Sequence, residues 1–186
     1  MSDSPAESTG NFAGTRHSYE GAEVAAAYGD VAAEWVTLDT GAGLVDSAWR
    51  RFFPAIGEER REFLHGQTTA QVTSLSAGSG VAALALTAQG RPLAIFALYE
   101  SGERLWISTT VAQTATTRAA LSRFLVADDC DFEEDIEAVC VTVVGPRAAQ
   151  VLAGAGVECA SSLGPWGVAS STIAGAPIMI LSLIHI

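Results

Sequence analysis

Three strand-length apolar runs, VAALALT from Val81, LAIFALY from Leu93 and RLWIST from Arg104, follow one another with only AQGRP and ESGE between them. Connectors this short leave no room for the crossover of a dozen or more residues that parallel strands need, so the three runs pair as consecutive antiparallel strands. Both connectors have the glycine-bearing composition of tight turns. The rest of the chain has to arrange itself around this meander.

Ahead of it, GEERREFLHG places acidic residues in a first turn, Phe63 and Leu64 toward a core, and His65 with Gly66 at its close, which is the pattern of a short helix. LVDSAWRRFFPAIG carries Val45, Trp49, Phe52, Phe53 and Ile56 and predicts one strand with an irregular end at Pro54. EVAAAYGDVAAEWVTLDTGAG predicts one or two short helices, from its alanine-rich start and from Glu34-Trp35-Val36, closed by Gly41 and Gly43. Beyond the meander, VAQTATTRAALSRFL has helical spacing at Val111, Ala115, Ala119 and Leu121 to Leu125. VCVTVVG predicts a further buried strand after an acidic linker. PRAAQVLAGAG predicts a helix that opens at Pro146 and ends in glycines. The order strand, helix, strands, helix, strand, helix is that of an α+β fold with a mostly antiparallel sheet and helices on one face.

The two ends read differently. Residues 1–18, MSDSPAESTGNFAGTRHS, have no sustained apolar period and are expected to be a flexible leader. The last six residues, LSLIHI at 181–186, have a back-translation that coincides with the transposon mosaic end used to prepare sequencing libraries. They are therefore expected to be a sequencing artefact on a truncated gene, with a genuine strand as the alternative, and His185 is set aside from functional reasoning.

Charge excludes two classes of partner. With 10 basic residues and a formal charge of −11, the chain carries no electrostatic footprint for direct nucleic-acid contact or for an anionic membrane. Its longest apolar run is too short and interrupted for a membrane-spanning helix. Cys130, Cys140 and Cys159 lack C-x-x-C spacing, and no apolar signal region opens the chain, so the thiols are expected to be reduced core residues of a cytoplasmic protein. The G-x-S-x-G, H-E-x-x-H, Walker and strand-following G-x-G-x-x-G patterns are absent. VADDCDFEEDIE holds seven carboxylates between Asp128 and Glu137. Without EF-hand spacing, it reads as a solvated acidic linker or edge strand with Phe132 and Ile136 pointing inward, not as a cation site. His65 reads as a cap on the last helical carbonyls, and the four separated tryptophans as core or subunit-contact residues.

Polar residues collect where apolar runs stop: Gln67, Thr68 and Thr69, then Thr87, Gln89 and Arg91, then Ser108, Thr109 and Thr110. Three such loops can line a pocket for a heteroaromatic ligand. Turn and cap chemistry explains the same residues.

AAYGDVAAEWVTLDTGAGLVDSAWR, FLHGQTTAQVTSLSAGSG, ALTAQGRPLA, LSRFLVADDCDFEED and VTVVGPRAAQVL resemble, in this order, the folate-binding YgfZ family, a relative of the aminomethyltransferase, or T-protein, of the glycine cleavage system. The resemblance runs from Tyr28 to Leu152. It implies a three-domain, cloverleaf-like GcvT/YgfZ architecture around a channel holding tetrahydrofolate or a derivative, with a ferredoxin-like unit in the first domain. Residues 19–145 would then be the folate-binding domain 1 and 146–180 the start of a truncated second domain. The family is associated with assembly or repair of iron–sulfur enzymes, one of which modifies tRNA, so the implied partners are folate and iron–sulfur client proteins. The implied function is that of a binding protein rather than a conventional enzyme.

In the aminomethyltransferase, the strand after the glycine turn carries an aspartate important for transfer to folate. Ala94 and Ile95 stand at the matching positions here, and neither can make a charge-assisted hydrogen bond. The turn TAQGRP, with Gly90 and Arg91, resembles the YgfZ version. The family's K-G-C-[YF]-x-G-Q-E motif is absent, so none of the three cysteines inherits its role. Carried over as candidate folate contacts are Ser108, Thr87 with Arg91, and Gln67 with Thr69. A folate-dependent aminomethyltransferase and a non-catalytic interaction scaffold are the alternatives.

Overall fold

The computed structural model describes residues 15–136 and 138–183. In chain order the elements are the hairpin β1 (Arg16–Tyr19) and β2 (Ala22–Ala25), α1 (Val31–Thr40), β3 (Gly43–Asp46), β4 (Arg50–Ile56), α2 (Arg60–Gln67), β5 (Ser79–Leu86), β6 (Pro92–Glu100), β7 (Leu105–Thr110), α3 (Thr114–Ser122), β8 (Asp131–Phe132), β9 (Val141–Val144), α4 (Ala148–Gly154), and the hairpin β10 (Val168–Ile173) and β11 (Ala176–Leu181). The architecture is α+β with antiparallel sheets. Its centre is a five-stranded sheet in the order β5-β6-β7-β4-β8, every pair antiparallel. The expected meander is its first three strands.

Alternation along these strands divides the residues between two faces. Phe53 and Ala55 of β4, Ala83 and Ala85 of β5, Phe96 and Leu98 of β6, and Leu105 and Ile107 of β7 point to one face. There they pack with Phe63 and Leu64 of α2 and Leu121 of α3 to make the main core. Ala97 and Tyr99 point to the opposite face, where Val168, Met179 and Leu181 of the β10–β11 hairpin cover them together with Trp106 and Trp166. Coverage of this second, open face stops at Ile95, which is 63% exposed.

LVDSAWRRFFPAIG forms two strands in different sheets where one was expected. The Asp46 carboxylate accepts from Ala48 N at 3.0 Å, and Arg50 N donates to Ser47 O at 2.9 Å, which turns the chain between β3 and β4. Pro54, expected to spoil a strand end, lies within β4. Its carbonyl accepts from Glu133 N, so its missing N–H faces the short edge strand β8 rather than β7.

VCVTVVG was expected to be a buried strand. It pairs instead with β3 in a separate two-stranded ribbon, leaving Val141 55% exposed. α1 starts at Asp30, whose side chain caps Ala33 N at 2.8 Å, and it buries none of its residues. The alanine-rich segment before it belongs to β2 and a bend, not to a helix.

Residues 16–18, expected to be part of a flexible leader, are strand. The β1–β2 turn docks on the end of β7, where Ala112 N donates to Glu20 O at 2.9 Å and Thr110 Oγ1 donates to Glu20 at 3.0 Å. Residues 1–14 of the leader, and 184–186 of the terminal LSLIHI, lie outside the described residues. Among the described residues, no helix is long and apolar enough to cross a membrane.

Candidate functional site

Strand register brings three polar side chains onto the open face. Tyr99 of β6 stands opposite Trp106 of β7. Two residues along β7, Ser108 stands opposite Ala97 on one side and Phe52 of β4 on the other. Two residues from Phe52, Arg50 stands opposite Thr110. Directly opposed residues share a face and so do residues two apart, hence Tyr99, Ser108 and Arg50 lie on the same face of three neighbouring strands. Tyr99 is fully buried and Ser108 is 3% exposed. The Tyr99 hydroxyl, the Ser108 hydroxyl and Arg50 Nε are buried without a hydrogen-bond partner. Buried polar atoms normally find one, so three orphans on one face make this the most chemically unsatisfied part of the sheet.

The five residues singled out in the sequence do not converge. Ser108 lies on the open face. Thr69 sits at the outer edge of β5, where its hydroxyl accepts from Leu84 N at 3.0 Å and its own N donates to Leu84 O. Thr87 closes the β5–β6 turn, accepting from Arg91 N at 3.1 Å. Arg91 is exposed on that turn, and half-buried Gln67 ends α2. The turn lies roughly 16 Å along the strand direction from Ser108, at about 3.3 Å per residue. Thr69 and Thr87 are thus engaged by backbone, whereas Ser108 has a free valence.

Tyr99 and Arg50 went unnoticed in the sequence. The one available signal was a tyrosine, with its hydroxyl, closing the apolar run LAIFALY.

Burial pushes the Tyr99 phenol up from 10.0 to about 12, against the opposing effect of the Arg50 guanidinium. Because the folded value is the higher one, the stability tied to this phenol is fully present below about pH 10 and is lost as pH rises to about 12. The expected slope in that window is about 1.4 kcal/mol per pH unit. Ultraviolet titration of the folded chain is expected to show a phenolate step near 12 that disappears in Tyr99→Phe.

Cys130 and Cys140 are poor nucleophile candidates. Burial, with Asp128 and Asp131 beside it, pushes Cys130 up to about 11. Burial also raises Cys140, which Arg50 opposes. All three cysteines are free, and only Cys130 is buried.

The acidic segment is used structurally. Asp129 accepts from Glu58 N at 3.1 Å and Arg118 pairs with Asp135 at 2.7 Å. Among the described residues no cluster of three potential ligands could hold a metal ion. Phe132 packs against the main core as expected, but Ile136 is 38% exposed, although its N still donates to Phe52 O of β4 at 2.9 Å. His65 does not cap helix carbonyls; its Nδ1 lies 3.2 Å from Ala70 O in the following loop. Of the tryptophans, Trp35 is 72% exposed, on a helix that buries nothing. A groove of about 880 Å³ between α3 and the acidic segment is lined by Arg51, Arg118, Asp135 and Val139 among others. None of the five candidates lines it. It is wide, Arg118 in it is already paired with Asp135 and Arg51 donates to the Ala48 and Arg50 carbonyls, so the open face carries the stronger chemical signal.

No family model and no curated protein matches this sequence. Among solved structures, the chain is similar to the glycine cleavage system aminomethyltransferase T from Bartonella henselae, with a TM-score of 0.77 and 21% identity over 84% of this chain. The match covers 44% of that protein, so the chain spans less than half of its length. The fold is a partial GcvT-like unit.

Proposed function

We propose that this chain is the folate-binding portion of a YgfZ-type protein, a cytoplasmic factor that binds tetrahydrofolate or a derivative. It serves iron–sulfur cluster assembly or repair and, through iron–sulfur clients, tRNA modification. The observation that carries this reading is the pairing of a GcvT-like fold with an open face that offers a buried, unpartnered Ser108 hydroxyl and no carboxylate at the two positions where the transferase resemblance calls for one.

Ala94 is 2% exposed and turned to the helix side, while Ile95 is on the open face. An alkyl side chain there can pack against a heteroaromatic ring but cannot accept a proton or stabilise a developing charge. The residues present therefore suit folate as a ligand to be held. Ser108 would hydrogen-bond it and Ile95 would cover a ring face. Reduced folate supplies one-carbon chemistry when bound; the chain's own residues bind, orient and exclude water. The division into 19–145 and 146–180 is part of the same proposal.

A folate-dependent aminomethyltransferase is the second reading, favoured by the activity named for the Bartonella henselae protein and opposed by Ile95. Reading the gene past the Ile180 codon from intact genomic template separates the proposals. A frame that continues to a K-G-C-type cysteine motif supports the YgfZ reading, and one that stops after Ile186 removes its thiol chemistry.

A further inference from the structure

We propose that Arg50, Tyr99 and Ser108 form a subsite that binds a carboxylate group of a small-molecule ligand on the open face of the five-stranded sheet. It does not require that ligand to be a folate. Each of the three side chains can donate, and Arg50 can only donate. Their buried atoms, Arg50 Nε, the Tyr99 hydroxyl and the Ser108 hydroxyl, have no acceptor. Register makes Tyr99 and Arg50 diagonal neighbours of Ser108 on the two strands that flank β7, each within about 7–8 Å of Ser108 at the backbone, and the Arg50 guanidinium acts on the Tyr99 phenol across it. Three donors without an acceptor call for an oxygen-rich partner, and an ionised one is favoured because hydrogen bonds to charge are the strong ones.

Charge narrows the class further. Among the described residues, Arg50 has no carboxylate within ion-pair distance, the four ion pairs there involving Arg60, Arg61, Arg104 and Arg118 instead. Its guanidinium lies over the Trp49 ring, 4.5 Å from the centroid, and it is close enough to Tyr99 and Cys140 to influence both. One unpaired cation, with Asp46 also near Cys140, matches a singly charged carboxylate better than a dianionic phosphate. The Tyr99 phenol is protonated and therefore able to donate at neutral pH. Arg50 is half-buried, so it is the member of the set that reaches solvent, and exposed Ile95 provides an apolar wall on the same face.

The test is calorimetric titration of the full chain with 4-aminobenzoyl-glutamate, its dimethyl ester and 6-methyltetrahydropterin, which has no carboxylate. The expected result is that 4-aminobenzoyl-glutamate binds and the diester does not. Arg50→Gln and the nearly isosteric Tyr99→Phe are each expected to weaken binding about tenfold or more, with Arg50→Lys recovering part of the loss. Near-ultraviolet circular dichroism checks that the variants fold, and the ester comparison needs no variant.

Absence of binding, equal binding of the diester, or unchanged affinity in folded Arg50→Gln and Tyr99→Phe overturns the subsite and leaves the three atoms to water. The folate reading is judged separately. If the pterin fails to bind while 4-aminobenzoyl-glutamate binds through Arg50, the subsite stands and that reading falls; if only the pterin binds, the subsite falls and that reading survives.

Discussion

Glu100→Ala is expected to destabilise the chain by about 3 kcal/mol or more, the usual cost of removing one partner from a buried ion pair. Glu100 ends β6 with a fully buried side chain. Its Oε2 accepts from Arg61 Nε at 2.7 Å and its Oε1 accepts from Gly102 N at 2.7 Å, with Arg60 Nη2 3.7 Å away. Alanine leaves two arginines of α2 facing a cavity without an acid and strands the Gly102 N–H. The interaction ties α2 to the β6–β7 turn, where Arg60 also donates to Gly102 O at 2.7 Å. Urea unfolding followed by tryptophan fluorescence measures the loss. Glu100→Gln keeps an acceptor for Gly102 and is expected to cost less. A Glu100→Ala variant within about 0.5 kcal/mol of wild type, the range of an ordinary surface change, contradicts this account of the α2 contact.

Gly57→Ala is expected to cost as much, for a steric reason. Gly57 leaves β4 with φ +102°, and an added Cβ would overlap the Asp129 carbonyl oxygen and lie 2.7 Å from its carbon. Backbone strain of this kind costs about 1–3 kcal/mol. The overlap must also push away Asp129, whose carbonyl accepts from Glu59 N at 3.0 Å and whose own N donates to Glu59 at 2.6 Å. Gly90→Ala is the control, with φ +77° and nothing within 4 Å of the new Cβ. It is expected to cost about 1–2 kcal/mol, the conformational part alone. Equal losses for the two variants would show that the Asp129 contact contributes nothing.

The same two loci show what was legible in the sequence. The meander could be read because short glycine-bearing turns leave adjacent apolar runs one way to pair, and α2 could be read from its charge order and its apolar pair. The break between β3 and β4 was hidden, because the Asp46 turn sits inside a run that looks like one strand. The pairing of β3 with β9 was hidden because nothing local announces a partner so distant. Ser47 and Thr142, whose hydroxyls meet at 2.6 Å, are 95 residues apart.

The site was legible in one residue of its three. Ser108 stands out as a polar residue following an apolar run. Tyr99 and Arg50 read as ordinary strand residues until register puts them beside it. Period-2 alternation tells which residues share a face, but not which neighbouring strand aligns with them or whether the face is covered. Thr69 and Thr87 had the same polar character as Ser108, yet they satisfy backbone groups, a difference that only three-dimensional placement reveals.

The central claim is that this fold holds a reduced folate on its open face. Calorimetric titration with tetrahydrofolate, applied to this chain and to the longer polypeptide if the gene encodes one, tests it most directly. The account predicts saturable one-site binding that 5-formyltetrahydrofolate competes away and that Ser108→Ala weakens about three- to tenfold, the loss of a single hydrogen bond. Absence of heat and of competition in both proteins would contradict it.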